Sequence, residues 1–411
     1  MNKKGFISMT LVYTFLILFL FLMLGVLHAY ASKNKFLEAI NEHIDLSVST
    51  PVTYGMTISQ ALLSSYYPEE SGIIDYSKNS EGRYETRTGI TQNITSVTNG
   101  LYLTQVVDDE DNNKIHMTEN DKTVYFFRGS VDNNYVALGN TCWKIYRTNE
   151  DESTRLIYFG NYDASNNMCT INTDNLPLTT YNENVNDNMY EGYMYGSSSS
   201  NYNTTHSNST DSTIKIVLDD WYQANLLGTS FEKLIDDQIF CNERKVGTEG
   251  IVNGLTYTSN GYGNSNTLYA SFRRNGTNGN AGNITSMDSA YPIFRCEQTN
   301  DKFTKNNESG NRNLTYPIGT LTADEFIIAG SSFKIDNTTY FLNYDTDLWT
   351  MTPSSFTSNV AKAISVKSTG ELIESSVNEV HYVLPVISLK NTTLIEKGNG
   401  KITSPYIVKV K

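Results

Sequence analysis

The chain has 411 residues, of which 44 are acidic and 31 basic, and its formal net charge is −13. An acidic chain repels the phosphates of nucleic acids and anionic lipid surfaces, so no nucleic-acid partner is predicted. The low charge content, 27 glycines and 28 tyrosines are typical of a β-rich, loop-rich extracellular protein with enough aromatic bulk for a core.

An uncharged run dominates the N-terminus. Residues 6–31 are almost entirely apolar, and Lys3 and Lys4 precede them while Lys33 and Lys35 follow them. A bilayer core needs about 20 apolar residues, so this run predicts one transmembrane helix that contacts the membrane through residues 6–31. The positive-inside rule places the short lysine-bearing end in the cytoplasm and the C-terminal domain outside the cell. The predicted protein is therefore a single-pass membrane protein.

Two kinds of cleavage compete with an uncleaved anchor. The Ala-Tyr-Ala sequence at 29–31 fits a signal peptidase site, although the apolar run exceeds the roughly 7–15 residues of a usual signal. The junction Gly5-Phe6 after two lysines resembles the start of a type IV prepilin or pseudopilin, a bacterial family whose peptidase cuts after the glycine. The fifth residue of that mature chain is Thr10, where the family usually has Glu. Cleavage after Gly5, cleavage after residue 31 and no cleavage all stay open.

Composition divides the chain into three segments. Residues 1–44 are predicted to hold the cytoplasmic stub, the transmembrane helix and its helical extension. Residues 45–120 are rich in Ser and Thr and are predicted to form a stalk or linker. Residues 121–411 carry most of the strand-like runs and are predicted to form the extracellular domain, including a final strand. Strands outnumber helices but both occur, so the predicted class is α+β.

The third segment begins with strands and continues with helices. The runs Cys142–Arg147 and Arg155–Phe159 alternate aromatic and β-branched residues around an acidic turn, and they predict a hairpin. Ser212 or Asp211 is predicted to cap an amphipathic helix. Its apolar stripe comprises Ile214, Val217, Leu218, Trp221 and Ala224. A second short helix is predicted near 231–239.

The tail is predicted to return to strands. The predicted strands are 339–342, 349–352, 362–366 and 381–389. Gly370 is expected in a hairpin turn, because glycine accepts the backbone angles that such turns require. Thr322 to Phe326 is predicted to form a capped helical turn.

No catalytic or metal-binding motif is found. The five histidines are isolated, and no Ser/His/Asp arrangement or phosphate loop can be assembled from the sequence. The carboxylate pairs at 219–220 and 236–237 are interpreted as solvated helix faces rather than as the paired acids of a glycosidase. The sequence predicts no catalytic residue, no metal and no cofactor, and the chain is predicted not to be an enzyme.

The acidic run at 108–113 does not match a calcium-binding loop. Starting at Asp109, the spacing of an EF-hand loop requires Gly where the chain has Lys114 and Glu where it has Asn120. Two key positions fail, and the run is interpreted as a solvated turn between strands.

Four cysteines lie in the third segment, at Cys142, Cys169, Cys241 and Cys296. None forms a C-x-x-C pair, and none has a histidine at zinc-ligand spacing. An even number of cysteines outside the membrane favours disulfides. Of the three connectivities, Cys142–Cys169 with Cys241–Cys296 is preferred, because each pair then falls within one part of the predicted strand and helix map. Four reduced, buried thiols are the alternative.

Several motifs in order resemble an uncharacterised bacterial domain family related in fold to the formylglycine-generating sulfatase-modifying enzymes. They are the helix 212–221, Leu321–Glu325, Trp349–Pro353, Gly370 and Val383–Ile387. Leu384 and Met351 stand where the family often has Arg. The whole layout also resembles surface proteins of gut Firmicutes. The resemblance implies a C-type-lectin-like ectodomain with long irregular loops, in a bacterial cell membrane. Enzymes related to the family use reactive cysteines, whereas disulfides explain the cysteines of this chain more simply.

Tyrosines concentrate in the polar loop at 181–210. The predicted binding-loop aromatics are Tyr190, Tyr193, Tyr195 and Tyr202. Tyrosine is large, rigid and amphipathic, which suits binding, although it can equally cover a β-rich surface. The sequence thus predicts a membrane-anchored extracellular surface protein that is a non-enzymatic binding or adhesion module for an unknown glycan or protein. The alternative is a pseudopilin-like structural subunit of a filament or secretion apparatus.

Overall fold

The computed structural model describes most of the chain from residue 55 to residue 410. The described ranges are 55–65, 69–70, 100–104, 107–108, 114–247, 249–252, 254–271, 292–333 and 336–410. The predicted transmembrane helix and both predicted cleavage sites lie outside these ranges. Among the described residues, no helix combines the length and the apolar character needed to cross a bilayer.

Helices are few and short within the described ranges. They are α1 Ile58–Ser65, α2 Tyr202–Thr205, α3 Thr213–Asn225 and α4 Ala323–Ala329, with 3-10 turns at Asn188–Glu191, Glu232–Leu234 and Thr299–Asp301. Strands are far more numerous, so the described part of the fold is mixed α+β and rich in β structure, as predicted.

Most of the described strands have two to four residues, and those of seven to ten residues lie in the two main sheets. The first are β1 Glu69–Glu70, β2 Gly100–Leu103, β3 Val107–Asp108, β4 Lys114–Ile115, β5 Tyr125–Arg128, β6 Tyr135–Leu138, β7 Thr141–Thr148, β8 Thr154–Asp163, β9 Met168–Ile171 and β10 Leu178–Thr180. The middle ones are β11 Met194–Tyr195, β12 Thr210–Asp211, β13 Ile235–Asp236, β14 Phe240–Cys241, β15 Gly250–Val252, β16 Leu255–Tyr257, β17 Thr267–Leu268 and β18 Lys302–Phe303. The last are β19 Ser332–Phe333, β20 Leu348–Thr357, β21 Val360–Val366, β22 Glu371–Ser376, β23 Val380–Val383, β24 Val386–Leu389, β25 Ile395–Lys397 and β26 Tyr406–Val408.

The larger sheet curls around the predicted hairpin of β7 and β8. Its main path is β1-β2-β5-β7-β6-β26-β25, and β8 branches from β7 to pair with β9 and β24. The hairpin register places Trp143 opposite Tyr158 and Arg147 opposite Arg155. The hairpin prediction is confirmed, and the second of these pairs later forms the floor of a cleft.

The smaller sheet is built from the tail, in the order β10-β23-β20-β21-β22-β19 with β17 beside β20. Gly370 lies in the turn between β21 and β22 at φ +81°, and its N–H donates to the carbonyl of Lys367 at 2.7 Å. A left-handed angle of this kind is why glycine is suited to the position. The turn prediction is therefore confirmed.

Aromatic side chains join the larger sheet to helix α3. Trp143, Tyr158 and Trp221 pack edge to face, with ring centroids 5.1 to 5.8 Å apart. Such contacts stabilise a core by about 0.5–1.5 kcal/mol each beyond the burial of their area. The helix begins after Ser212, whose hydroxyl accepts the N–H of Lys215.

The predicted stripe of α3 is correct in its centre and wrong at its end. Ile214, Leu218 and Trp221 are buried, whereas Ala224 is exposed and Tyr222 is buried in its place. The helix predicted at 231–239 is also wrong, because only a 3-10 turn forms before Ile235–Asp236 pairs with β24. The strand predicted at 339–342 is not formed.

Two described pieces of the segment 45–120 pack into the same core. Helix α1 buries Ile58, Ala61 and Leu62, and an isolated bridge joins Thr57 to Leu394. Strand β2 pairs with β5 along its whole length. The larger sheet and the end of the chain thus hold these two pieces in place.

Both cysteine pairs lie at disulfide distance in the predicted connectivity. The Cα atoms of Cys142 and Cys169 are 5.8 Å apart, and those of Cys241 and Cys296 are 5.5 Å apart. The first bond ties β7 to β9 within the larger sheet. The second joins β14 to the described segment that contains Cys296.

Candidate functional site

A polar cleft of about 430 Å³ opens beside the β7–β8 hairpin. Its volume falls within the range of about 300–1,000 Å³ that is usual for small-ligand sites. The side chains that line it are Thr118, Glu119, Asn120, Lys122, Val124, Arg147, Asn149, Glu150, Asp151, Arg155, Gln238, Ile239, Cys241, Glu243, Ile293, Phe294, Arg295, Lys302, Asn307, Ser309, Thr322 and Glu325. Ten of these carry charge, five of each sign.

Two arginines and one glutamate form the floor of the cleft. Glu325 Oε1 accepts from Arg147 Nε at 3.1 Å and from Arg155 Nη1 at 3.4 Å. All three side chains are buried, with exposed fractions of 7%, 2% and 2% for Arg147, Arg155 and Glu325. We call these three residues the floor cluster. Burial removes the water that would otherwise screen the two like charges.

One aromatic ring packs against each of the two guanidinium groups. Arg147 Cζ lies 4.9 Å from the ring centroid of Phe294, and Arg155 Cζ lies 4.6 Å from that of Phe240. Cation–π contacts of this kind offset part of the cost of burying a cation. They also hold the guanidinium planes in fixed positions.

Glu325 is fixed by its own helix before it meets either arginine. Thr322 caps α4 and accepts the N–H of Glu325, while Glu325 Oε2 accepts the N–H of Thr322 at 3.0 Å. This reciprocal arrangement is a capping box, and it confirms the helical turn predicted there. One carboxylate oxygen therefore serves the cap and the other serves both arginines.

The floor cluster leaves guanidinium donors unfilled. Arg147 uses Nη1 for the carbonyl of Thr148 and the side chain of Asn149. Arg155 uses Nη2 for the carbonyl of Ile239, and its buried Nε has no hydrogen-bond partner among the described residues. In the same ranges Arg147 Nη2 makes no hydrogen bond to the protein. A buried donor without a partner lowers stability by about 1–3 kcal/mol. A ligand that accepts hydrogen bonds from these atoms would remove that cost and bind more tightly.

The electrostatics agree with an excess of positive charge on the floor. Burial lowers the pKa of Arg155 to about 9, and the neighbouring Arg147 lowers it further while Glu325 raises it. Loss of water is the larger cause of this shift, and repulsion from Arg147 is the second. The single carboxylate of Glu325 does not balance two cations.

Three of the four acidic side chains around the rim bond to neighbouring protein groups. Glu150 accepts the backbone N–H groups of Asn120 and Lys122 at 2.7 and 3.4 Å. Asp151 accepts from the Ser153 hydroxyl at 2.6 Å, and Glu119 pairs with Lys302. These bonds fix the rim segments, so the cleft is ordered before any ligand arrives.

The second disulfide braces one wall. Cys241 lines the cleft, and its partner Cys296 donates its backbone N–H to Glu119 at 2.6 Å. The disulfide and this hydrogen bond together connect three wall segments that are far apart in sequence. The other disulfide, between Cys142 and Cys169, lies away from the cleft lining.

The predicted binding-loop tyrosines do not lie in the cleft. Tyr193 is fully buried, 5.5 Å from the ring of Phe303, and belongs to the core. Tyr190 and Tyr195 are half-buried and pack on each other with centroids 5.5 Å apart. Tyr202 is half-buried and stacks on His206 at 4.0 Å. The three partly exposed rings keep a binding role as a prediction.

A second segment rich in Gly and Asn, at 247–290, meets the loop at 181–210 on one surface. Asn188 donates to the carbonyl of Gly263 at 2.7 Å and to that of Ser265 at 2.9 Å. His206 Nε2 donates to the carbonyl of Gly261 at 2.8 Å, and burial lowers the pKa of His206 to about 3. The loop at 181–210 and the described part of the loop at 247–290 thus form one fixed surface.

The fold assembles one Ser–His–Asp grouping that the sequence did not reveal. His381 Nε2 lies 3.2 Å from the hydroxyl of Ser375, and its Nδ1 lies 4.0 Å from Asp347. Ser375 is only 2% exposed and also bonds to Ser365 at 2.9 Å. Ser375 is absent from the cleft lining and its hydroxyl is shared with Ser365, so we interpret the grouping as a polar link between strands.

The remaining acidic candidates have structural partners. Asp237 accepts the N–H groups of Lys305, Asn306 and Asn307 at 2.5 to 2.8 Å and so holds that loop. Asp219 bonds to Lys215 at 2.7 Å within α3. The prediction that these pairs lie on solvated helix faces is therefore wrong for Asp219 and Asp237. Among the described residues no group of three or more His, Cys, Asp or Glu side chains could hold a metal ion.

The floor cluster is not apparent from the sequence, although one local pattern points to it. The hairpin pairs Arg147 directly with Arg155, and like charges opposite each other on neighbouring strands are destabilising. Two arginines equally spaced about a turn therefore indicate a shared anion. That Glu325 supplies part of it could not be read from the sequence, because it lies about 170 residues away from either arginine along the chain.

A comparison of the chain with protein-family models, curated proteins and solved structures found no match.

Proposed function

We propose that the chain is a membrane-anchored surface protein of a bacterium, and that its extracellular domain is a non-enzymatic module that binds a glycan or a protein. The cleft carries this proposal. It is concave, polar and fixed by hydrogen bonds, and it has the volume of a small-ligand site. Unfilled guanidinium donors on its floor give a ligand something to bind.

The state of the cleft's carboxylates favours binding over acid–base catalysis. Four of the five carboxylates in the lining, those of Glu119, Glu150, Asp151 and Glu325, accept fixed hydrogen bonds from the protein. A general acid or base must instead be free to exchange a proton with the substrate. The proposed role of these groups is to shape the cleft.

A C-type-lectin-like scaffold is part of the proposal. Two main sheets, few helices, two disulfides and long irregular segments between short strands support it. So does the position of the motifs that carry the family resemblance, since the capped helix α3, the capping box of α4 and strand β20 all fall in regular elements. In such a scaffold, loops on a fixed core present the binding surface.

Anchoring to the membrane is supported by the sequence of residues 6–31. The lysines on both sides and the length of the apolar run favour a single span with the N-terminus in the cytoplasm. The two disulfides fit an extracellular location, because such bonds persist outside the reducing cytoplasm.

The test is a binding screen with the full-length chain kept in solution by a nonionic detergent. A glycan array and a pulldown from host surface proteins are run in parallel, with a heat-unfolded sample as the control. We expect saturable binding in at least one of them. Reproducible silence in both would count against a binding function.

The pseudopilin-like alternative rests on the Gly5-Phe6 junction and the long apolar run behind it. Intact-mass measurement of the mature protein separates the alternatives. A chain that begins at Phe6 favours the structural subunit, one that begins at Met1 favours a plain anchor, and one that begins at Ser32 favours secretion.

A further inference from the structure

The floor of the cleft has more positive than negative charge. Two buried guanidinium groups share one carboxylate oxygen of Glu325, with distances of 3.1 and 3.4 Å. Arg147 and Arg155 also face each other directly across the hairpin. Buried charges are normally paired, and an unpaired one costs several kcal/mol. One negative charge is therefore missing from this floor.

The unfilled donors show where that charge would bind. Arg155 is 98% buried, and its Nε has no partner among the described residues. Arg147 Nη2 is likewise without a protein partner in those ranges, and both residues line the cleft. Guanidinium groups hold carboxylates through pairs of parallel hydrogen bonds, which are short and strong.

The rim limits the charge that an anion can carry. Glu119, Glu150, Asp151 and Glu243 stand around the same cleft. Three cations, Lys122, Arg295 and Lys302, line it as well, so the rim has one more negative than positive side chain. A single carboxylate matches the one excess positive charge on the floor, whereas a dianion such as phosphate would exceed it. A monoanion is therefore favoured.

The rest of the lining suits a ligand with many hydroxyl groups. Amide and hydroxyl side chains surround the opening, namely Thr118, Asn120, Gln238, Asn307 and Ser309. Amides and hydroxyls both donate and accept hydrogen bonds, and carboxylates accept them. A sugar hydroxyl can do both, so it can pair with any of these groups. Each of these side chains except Ser309 already donates at least one hydrogen bond to the protein, and the remaining donors and oxygens are the atoms that sugar hydroxyl groups can meet.

We propose that the cleft binds an acidic sugar, with the sugar's carboxylate held by Arg147 and Arg155 on the floor and its hydroxyl groups held by the rim. The inference rests on the proposed binding function and names its ligand class. It assigns Arg147 as the residue that distinguishes acidic from neutral sugars.

The experiment is a calorimetric titration of the full-length chain in nonionic detergent with matched small probes. Glucuronate and glucose differ only in a carboxylate against a hydroxymethyl group. Inorganic phosphate, sulfate and an N-acetylated dipeptide complete the set. One charge-assisted hydrogen bond contributes about 1.5–3 kcal/mol, so we expect glucuronate to bind roughly 10- to 100-fold more tightly than glucose.

Variants locate the effect. Arg147→Met should remove the preference for glucuronate, and Arg147→Lys should restore part of it, because lysine keeps the charge without the planar fork. Arg312→Met is the matched control, since Arg312 is half exposed and lies outside the cleft lining. Thermal unfolding of each variant shows whether it is folded at the titration temperature.

The outcomes separate this inference from the proposed function. Equal binding of glucuronate and glucose, or an unchanged preference in Arg147→Met, overturns the acidic-sugar site while leaving a binding module intact. Binding of phosphate, sulfate or the dipeptide in preference to glucuronate overturns it as well. Silence of every probe together with silence of the array and the pulldown overturns both.

Discussion

Two sites in this protein bury arginine side chains, and they differ in how completely the guanidinium groups are paired. Arg244 is fully buried, and its guanidinium bonds to Asp301, to the carbonyl of Met194 and to the side chain of Asn208 at 2.6 to 2.8 Å. Its own backbone N–H also donates to Asp301 at 2.5 Å. Every guanidinium nitrogen is satisfied and the charges balance. A site of this kind stabilises the fold and has no capacity left for a ligand.

The floor cluster has two cations for one carboxylate and keeps donors unfilled. It lies beside a cleft, whereas Arg244 lies in the interior between loops. The number of partners, rather than burial alone, therefore separates a structural arginine from one available for binding.

The largest effect is expected at the balanced site. Asp301→Asn removes the charge that pairs with Arg244 and should lower the free energy of unfolding by about 3–5 kcal/mol, because a buried cation is left unpaired. Urea denaturation of the purified chain measures it. Glu308→Gln is the control, since the Arg312–Glu308 pair is exposed and contributes about 1 kcal/mol or less. A loss below 1 kcal/mol in Asp301→Asn would contradict a structural role.

The two disulfides should differ in what they hold. Replacing both cysteines of a pair by serine should cost about 4 kcal/mol for Cys241–Cys296 and about 3.5 kcal/mol for Cys142–Cys169, since the bonds close loops of 55 and 27 residues. Only the first pair braces the cleft, so only its removal should also weaken ligand binding. Urea denaturation and titration of the same samples measure both effects, and equal loss of binding in the two variants would refute the bracing role.

A third buried cation, Lys144, extends the comparison to a site without any carboxylate partner. Its Nζ donates to the carbonyl of Phe341 at 2.7 Å and lies 4.6 to 5.7 Å from three ring centroids, those of Tyr135, Phe159 and Tyr344. Burial lowers the pKa of Lys144 to about 7. Below pH 7 the native state therefore contains a buried charged amine.

This lysine should make stability depend on pH. Between pH 7 and about 10.5 the unfolded chain holds the lysine proton and the native chain does not, so stability increases with pH in this window. Lys144→Met removes the dependence. The unfolding free energy of Lys144→Met minus that of the wild type should therefore be larger at pH 6 than at pH 9. A difference that is equal at both values would show that the lysine keeps its proton when buried.

The smallest effect is expected at the unbalanced site. Arg147→Met leaves Arg155 and Glu325 as a one-to-one pair, so the lost hydrogen bonds are offset by the removal of like-charge repulsion. We expect a loss of about 1 kcal/mol in urea denaturation, well below the effect of Arg244→Met. A loss as large as that of Arg244→Met would remove the distinction between the two sites.

Local sequence patterns predict structure correctly where interactions between neighbouring residues decide it. The capping box at Thr322 and Glu325, the cap at Ser212, the hairpin of Cys142–Arg147 with Arg155–Phe159 and the turn at Gly370 all form as predicted. Segments with weaker patterns were misread. The stretch 231–239 has helical spacing, but pairing of Ile235–Asp236 with β24 overrides it.

The candidate site was not predictable in the same way. Tyr190, Tyr193, Tyr195 and Tyr202 were chosen because tyrosine in polar loops suits binding, yet Tyr193 packs in the core. Composition reports which residue types a loop contains and does not report which ring a neighbouring segment covers. The floor cluster escaped notice because each of its members has an ordinary local role in a strand or a cap.

Charge, periodicity and capping act over a few residues, and they are enough to predict an acidic, mixed α+β chain with an apolar N-terminal run. The sequence also favours the two disulfide pairs, which join neighbouring cysteines. Which arginine has a balancing charge depends instead on long-range packing. The carboxylate that Arg147 and Arg155 share comes from Glu325, and the balance of Arg244 comes from Asp301. Partners so distant along the chain meet only when the sheets and loops pack, so a buried charge and its counter-charge cannot be matched before the fold is known.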